Sequence, residues 1–457
     1  MKTKLLKSLG CISALTVFSL SNLSAQSTDL LALKREAFSR LSGASGIGER
    51  FEGAVYAMAN GEASNTIAAY GRRGDGTLEL IGTFATGGRG GAFDGGEGLD
   101  PLISAYALEL TPDNRFLLAV NAGSSTVTAF RINSDFTLTR TSEAFTFGVG
   151  PNSLSYSNGQ FFVTNIDADG EFAGEPDQEG SVLGYHLTRR GNIIPDFRNY
   201  RLLGNRPSAI RVSPDSRNVV VSSINAGSAT LESGSEDEIV LYGLRRGVLS
   251  DNPTSTATST LRNNEAGRNL PSAIGFEIVR ERNRQYVVVT EAREFQSNGA
   301  PPAFPALQTG SVSTWEISRG NLVPVDLDVI PDGRSITDGE RTACWIAFSE
   351  DQDYFWVSNA LDASISTYSF DGGDIEVLEE IAIQGVGAES PEPSVAFGET
   401  QGWIDLDTDQ YGEYVYQLYG LEGTIGVFQV EDGGSLSFVE EVTGTLPAQN
   451  TQGIVAF

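Results

Sequence analysis

The chain has 457 residues, with 59 acidic against 31 basic side chains and a net charge of −28. A surface this acidic argues against nucleic acid or an anionic membrane as partner, because both are polyanions. Its 52 glycines and 17 prolines are spread evenly, with no compositional break that marks a linker, which suits an all-β chain of short strands.

In chain order, Lys2, Lys4 and Lys7 make a basic start, Leu9 to Leu20 is a short apolar run, and Leu23-Ser24-Ala25 offers a cleavage site. Residues 1–25 read as a secretory signal peptide, since the apolar run is too short to cross a bilayer. Cys11 lies in that run, but Ser8 stands where a lipoprotein signal needs leucine. The expected location is therefore periplasmic or extracellular, with no membrane anchor. Removing this segment takes away three lysines and no acid, leaving 28 basic residues against 59 acidic. Cys344 is then the sole cysteine, so no intramolecular disulfide can form, and its neighbour Trp345 places it in a buried strand. Residues 26–50 form an N-terminal extension, with a short helix expected over Thr28 to Leu41.

From residue 51 the chain repeats itself. Ala107 to Asn121 (ALELTPDNRFLLAVN) is echoed by Ala209 to Ser223 (AIRVSPDSRNVVVSS) and by Trp345 to Asn359 (WIAFSEDQDYFWVSN). Each copy reads strand, polar turn, apolar strand, and repetition at this period marks a propeller or solenoid. Registered by the end of the second strand, the units fall at Asn60, Asn121, Asn165, Asn225, Glu291, Asn359 and Tyr419. Asn121 to Asn165 is about the length of one blade of ~40–45 residues, and the longer units carry insertions. A third strand follows each marker and ends on an aromatic: Tyr70, Phe130, Tyr185, Tyr242, Trp315, Tyr368 and Phe428. The first unit lacks an inner strand, and Thr451 to Phe457 reads as an inner strand with nothing after it. The predicted fold is an all-β, seven-bladed β-propeller over residues 51–457, closed by the C-terminal strand pairing into blade 1.

Sites are expected where loops lead into the inner strands and where the second strands end, two sets that open on one face. There, Asn60, Asn121, Asn152, Asn165 and Asn359 form a ring of amides, with Glu291, Arg206 and Arg341 among them. Such a ring could bind a polyhydroxylated or anionic small molecule, arginine being suited to carboxylate or phosphate. Equally, asparagine and proline are ordinary turn formers that recur with the blade.

His186, the only histidine, sits on a third strand and reads as structural or solvent-facing. With one histidine, no Ser-His-Asp or Cys-His arrangement forms at the channel, and zinc is not expected. Asp405 to Asp409 alternates carboxylates like a calcium loop, but it registers with Glu109 to Asp113 and is read as strand and turn. Asp167 to Glu179 is an acidic insertion, read as a solvated loop with a bound cation as the alternative. Asp94, Glu97 and Asp100 lie in a glycine-rich insertion over residues 87–101, a candidate lid. No metal or other cofactor is expected.

The units Thr111 to Phe130 and Cys344 to Tyr368 resemble the bacterial lactonase-type seven-bladed propellers, relatives of 6-phosphogluconolactonase and of fungal carboxymuconate cyclases. The resemblance covers roughly Phe51 to Phe457. It implies opening or closing of a lactone ring beside carboxylates, with a histidine, arginines and a glutamate in the central cleft. This chain departs from that pattern at the starts of the inner strands, where Asn152, Ser208, Ser272 and Thr342 replace the family's histidines. General-base work would then fall to Glu291, with Arg206 or Arg341 holding the oxyanion or a substrate carboxylate. The expectation is an exported, monomeric, lactonase-like hydrolase acting in the central channel on a small lactone or related carboxylated ligand such as a sugar acid. The alternative is a secreted propeller that binds a small ligand or a protein without turnover.

Overall fold

The computed structural model describes residues 51–92, 100–168, 179–224, 237–262, 268–295, 308–331, 341–385 and 401–457. The signal segment, the expected helix over Thr28 to Leu41, Asp94 and Glu97, and most of the acidic insertion after Asp167 lie outside the described residues.

Seven antiparallel sheets surround a central channel. Their inner strands, in blade order 1 to 7, are Ile454–Ala456, Leu108–Leu110, Val149–Ser157, Arg206–Val212, Leu270–Glu281, Ala343–Phe348 and Trp403–Thr408. Each packs against the next, and the seventh packs against the first, so the ring is complete. Closure comes from the chain's last strand: Ile454, Val455 and Ala456 pair with Ala57, Tyr56 and Val55. Phe457 follows into the core, where its ring meets Tyr56 and Phe136. Closing the ring this way covers the edge of Gly53–Met58 that would otherwise be open.

The repeated motif is a turn with a defined chemistry. In blade 2, Thr111 Oγ1 donates to Asp113 Oδ1 (2.7 Å) and accepts from Phe116 N–H (3.0 Å), while Asn114 turns through a left-handed φ of 51°. Blade 4 repeats this with Ser213, Asp215 and Ser216 (φ 56°). Blade 6 repeats it with Ser349, Asp351 and Gln352 (φ 64°). A hydroxyl and an aspartate therefore satisfy the amides that a tight strand reversal leaves unpaired.

Blade 7 corrects the register expected for Asp405 to Asp409. Asp409 occupies the place of Thr111, because its carboxylate accepts from Glu413 and Tyr414 N–H (2.7 and 3.1 Å). Asp407, not Asp405, thus corresponds to Glu109. The segment is strand and turn, as its pattern indicates.

All seven aromatics at the ends of the third strands are buried between blades. Cys344 is buried and free. Blade 4 is irregular at its rim, where Val248–Leu249 and Ser255–Thr258 both pair with Glu238–Arg245.

Candidate functional site: a plugged channel with one mouth

The segment 100–106, just before the inner strand of blade 2, crosses the channel and ties itself to every other blade. Ser104 O accepts from Trp345 Nε1 (3.0 Å) and Gln452 Nε2 (2.6 Å), and Ser104 Oγ donates to Asn152 O (2.9 Å). Ala105 N–H donates to Ser208 O (3.1 Å), and the Tyr106 hydroxyl donates to Phe276 O (2.6 Å). The Tyr106 N–H reaches Asp405. Ile103 and Tyr106 hold left-handed φ values of 46° and 67°. For a β-branched residue that backbone is strained, and it persists only because its surroundings over-determine it.

Below the plug lies a cavity of about 490 Å³, lined by the turn-side halves of the inner strands. Its wall includes Tyr106, Glu109, Arg211, Glu277, Asp405 and Asp407. Its mouth carries Thr111, Asn114, Thr408 and Gln410 from the turns that end inner strands. That volume suits a small organic ligand. The mouth is on the face opposite the one expected from the loops.

The inner strands reach this wall with their free edges satisfied by neighbours. Asp405 Oδ2 accepts from Gly453 N–H (3.0 Å), and Asp407 Oδ2 accepts from Ala456 N–H (2.9 Å). Glu109 Oε1 takes Tyr156 N–H (3.3 Å), while Ser155 Oγ takes Val212 N–H (3.1 Å). Side chains of blades 7, 2 and 3 thus pair otherwise orphaned amides of blades 1, 3 and 4.

Arg211 is clasped at the centre. Its Nη1 meets Glu109 Oε2 at 2.6 Å, its Nε lies 3.1 Å from Glu277 Oε2, and its guanidinium stacks 3.3 Å from the centre of the Tyr106 ring. Burial alone would lower its pKa, but the two glutamates raise it overall, so it stays charged. Burial pushes the Asp405 carboxyl up to about 7, against the Gly453 amide that favours its ionised form. Burial likewise pushes Asp407 up to about 7, opposed by the Ala456 and Thr408 amides and by Arg211. Both line the cavity, and Asp407 is the more exposed of the two, so it is the carboxyl a ligand meets first. At the plug, burial and the nearby Asp405 raise Asp100 to about 8, against the Gln452 amide that bonds it.

Residues 48–171 match the family model of the lactonase seven-bladed β-propeller. Over this stretch the chain is similar to the lactonase-type propellers. The periplasmic gluconolactonase of Pseudomonas aeruginosa is 15% identical, with a TM-score of 0.55 over 88% of this chain and 98% of that one. A Bacteroides fragilis protein proposed to be a 6-phosphogluconolactonase is 13% identical, with a TM-score of 0.53 over 89% and 98%. A hypothetical selenium-binding protein of Sulfolobus tokodaii scores 0.58 at 11% identity over 88% and 93%. At such identities the likeness is one of fold. No curated protein sequence matches this one.

The propeller places the residues that the sequence singles out away from the cavity. Glu291 is fully buried in blade 5, where its Oε2 accepts from Arg293 (3.0 Å), Ser311 (2.8 Å) and Ser313 (3.0 Å). Arg262 lies 3.5 Å from its other oxygen, and Arg293 also meets Asp328 at 3.0 Å. Glu291 is thus enclosed by structural partners within its blade and does not line the cavity. Arg341 pairs with Asp362 through Nη2 (2.5 Å) and Nε (3.0 Å). Arg206 begins the inner strand of blade 4, buried, and does not line the cavity.

The amide ring is likewise part of the scaffold. Asn60 exchanges both hydrogen bonds with Gly91, Asn121 binds Asn65, Thr126 and Thr128, and Asn152 joins Pro207 O to Thr164. Asn165 donates to Thr146 O and Ser181, and Asn359 to Ser364 and Ser366. All five are fully buried. His186 is exposed and contacts Asp196 at 3.2 Å. Among the described residues, no group of three or more His, Cys, Asp or Glu is placed to hold a metal.

Sequence reasoning passes over Glu109, Arg211 and Asp407, which stand two residues before the turn residues Thr111, Ser213 and Asp409. That shared repeat position was the available signal. It marks the inner-strand position nearest the cavity mouth.

Proposed function

We propose that this protein hydrolyses a small lactone in the turn-side cavity. The observation that carries the reading is that Asp407 and Arg211 line the same cavity, a carboxyl with a pKa near 7 beside a permanent cation. In the reaction, ionised Asp407 takes a proton from water as the water oxygen bonds to the lactone carbonyl carbon. The Arg211 guanidinium stabilises the oxyanion that forms. The ring C–O bond then breaks, and Asp407 returns the proton to the departing ring oxygen, leaving a hydroxy acid. A base with a pKa near the working pH combines adequate ionisation with adequate basicity. These roles replace those that resemblance assigns to Glu291, Arg206 and Arg341.

A second reading is supported by the two backbone amides that Asp407 already holds, from Thr408 (2.9 Å) and Ala456 (2.9 Å). On that reading the carboxyl is an edge cap, and the propeller binds its small ligand without turnover. Hydrolysis of a panel of γ- and δ-lactones, followed by proton release, separates the two. Turnover above the spontaneous rate supports the hydrolase, and binding without turnover supports the binder.

The signal-peptide pattern of residues 1–25 supports export. Cell fractionation with N-terminal sequencing tests it, the expected product beginning at Gln26. The protein is proposed to act as a monomer on a small molecule, and size-exclusion chromatography with light scattering checks its state.

A further inference from the structure

The cavity invoked above carries four carboxyl groups, Glu109, Glu277, Asp405 and Asp407, against one cation, Arg211. We propose that the site admits an uncharged lactone ring and refuses phosphorylated or carboxylated ones, with Glu109 and Glu277 as the specificity-determining residues. This inference rests on the cavity being the ligand site.

The reason is that Arg211 is already committed. An arginine that recognises phosphate or carboxylate does so by presenting a paired fork of N–H donors. Here Glu109 holds one edge at 2.6 Å, Glu277 stands 3.1 Å from Nε, and Tyr106 covers a face of the guanidinium at 3.3 Å. A ligand anion would have to displace a glutamate from an ion pair that is itself largely buried, leaving that glutamate uncompensated. It would also meet Asp405 and Asp407. Protonating both of these still leaves two glutamates facing one arginine. Like charges at contact distance in a cavity walled by protein are screened far less than at the surface.

A neutral ring fits the remaining chemistry. The Asn114 and Gln410 amides at the mouth offer uncharged donors and acceptors for ring hydroxyls, and Trp345 and Tyr106 add aromatic faces to the wall. A lactone carbonyl needs only a single donor from Arg211, so the glutamate pairs need not break.

The test is binding of the hydrolysis-inert δ-gluconolactam and of its 6-phosphate to the full-length protein, measured by titration calorimetry at pH 8. The expected result is that the lactam binds and the phosphate binds at least tenfold more weakly. In Glu109→Gln with Glu277→Gln, that gap should narrow severalfold. The wild-type comparison stands on its own if the double variant fails to fold. Equal or tighter binding of the phosphate overturns the proposal, as does no binding of the lactam. Because the lactam cannot be turned over, failure of the hydrolase reading shows separately, as an uncharged lactone that binds but is not opened.

Discussion

Arg211 in blade 4 meets Glu109 in blade 2 at 2.6 Å, bridging the channel wall past blade 3. The two residues lie 102 positions apart at the same step of the repeat, two before the turn hydroxyls of Ser213 and Thr111. With Glu277 and Tyr106 they hold the plug to the cavity wall.

Replacing Arg211 by methionine removes the only cation from this group and leaves Glu109 and Glu277 facing each other. Breaking one side of a buried ion pair costs about 3–5 kcal/mol. The expected outcome is a large drop in the denaturation midpoint, read by chemical unfolding. Arg211→Lys should recover part of it, since a lysine keeps the charge but not the stacking on Tyr106.

Stability should fall as pH rises from about 5 to 8. Asp100, Asp405 and Asp407 are held near 8, 7 and 7 in the folded protein by burial, well above their unfolded values of about 3.9. Between those limits the folded state binds more protons than the unfolded one, so stability present at low pH is lost as pH passes through the folded values. Thermal unfolding across pH 5 to 9 checks this. Asp405→Asn should flatten the curve, and a curve that rises through this range would contradict the assignment.

Glu291→Gln should leave lactone turnover per folded molecule unchanged while lowering the unfolding midpoint. The substitution leaves Arg262 and Arg293, both fully buried, short of their counter-charge. A selective loss of kcat with the midpoint intact would return Glu291 to the catalytic role that resemblance suggests.

Phe457→Ala should destabilise by about 3–5 kcal/mol, the usual cost of emptying a buried phenylalanine site. Phe457 packs on Tyr56 and Phe136 beside the closing strand, so the loss should appear as a cooperative shift of the whole propeller. Urea denaturation measures it.

The scaffold was legible in the sequence because propeller physics repeats. The Ser/Thr-x-Asp turn recurs in blades 2, 4 and 6, an aromatic ends each third strand, and the strand near the C-terminus supplies the inner strand that the first unit lacks. The site was not legible for the complementary reason. Glu109, Arg211 and Glu277 each sit between two apolar neighbours, and Asp407 follows one, just as solvent-facing strand residues do, and only the closed ring turns them towards one cavity. The asparagines misled because amides at strand ends are needed to bind neighbouring loops, whether or not a ligand is present. The plug at residues 100–106 had no signature, since its contacts are mostly through backbone atoms.

The central claim is that Asp407 activates water for lactone opening in the turn-side cavity. Steady-state hydrolysis of δ-gluconolactone by the wild type and by Asp407→Asn, across pH 6 to 9, tests it most directly. The account predicts a wild-type kcat/KM that rises with pH to a plateau, with a midpoint near 7. In the variant it predicts a loss of about 10²–10⁴-fold, with an unchanged or raised unfolding midpoint at pH 8. Retained turnover in Asp407→Asn, or a wild-type profile indifferent to pH through 7, would contradict it.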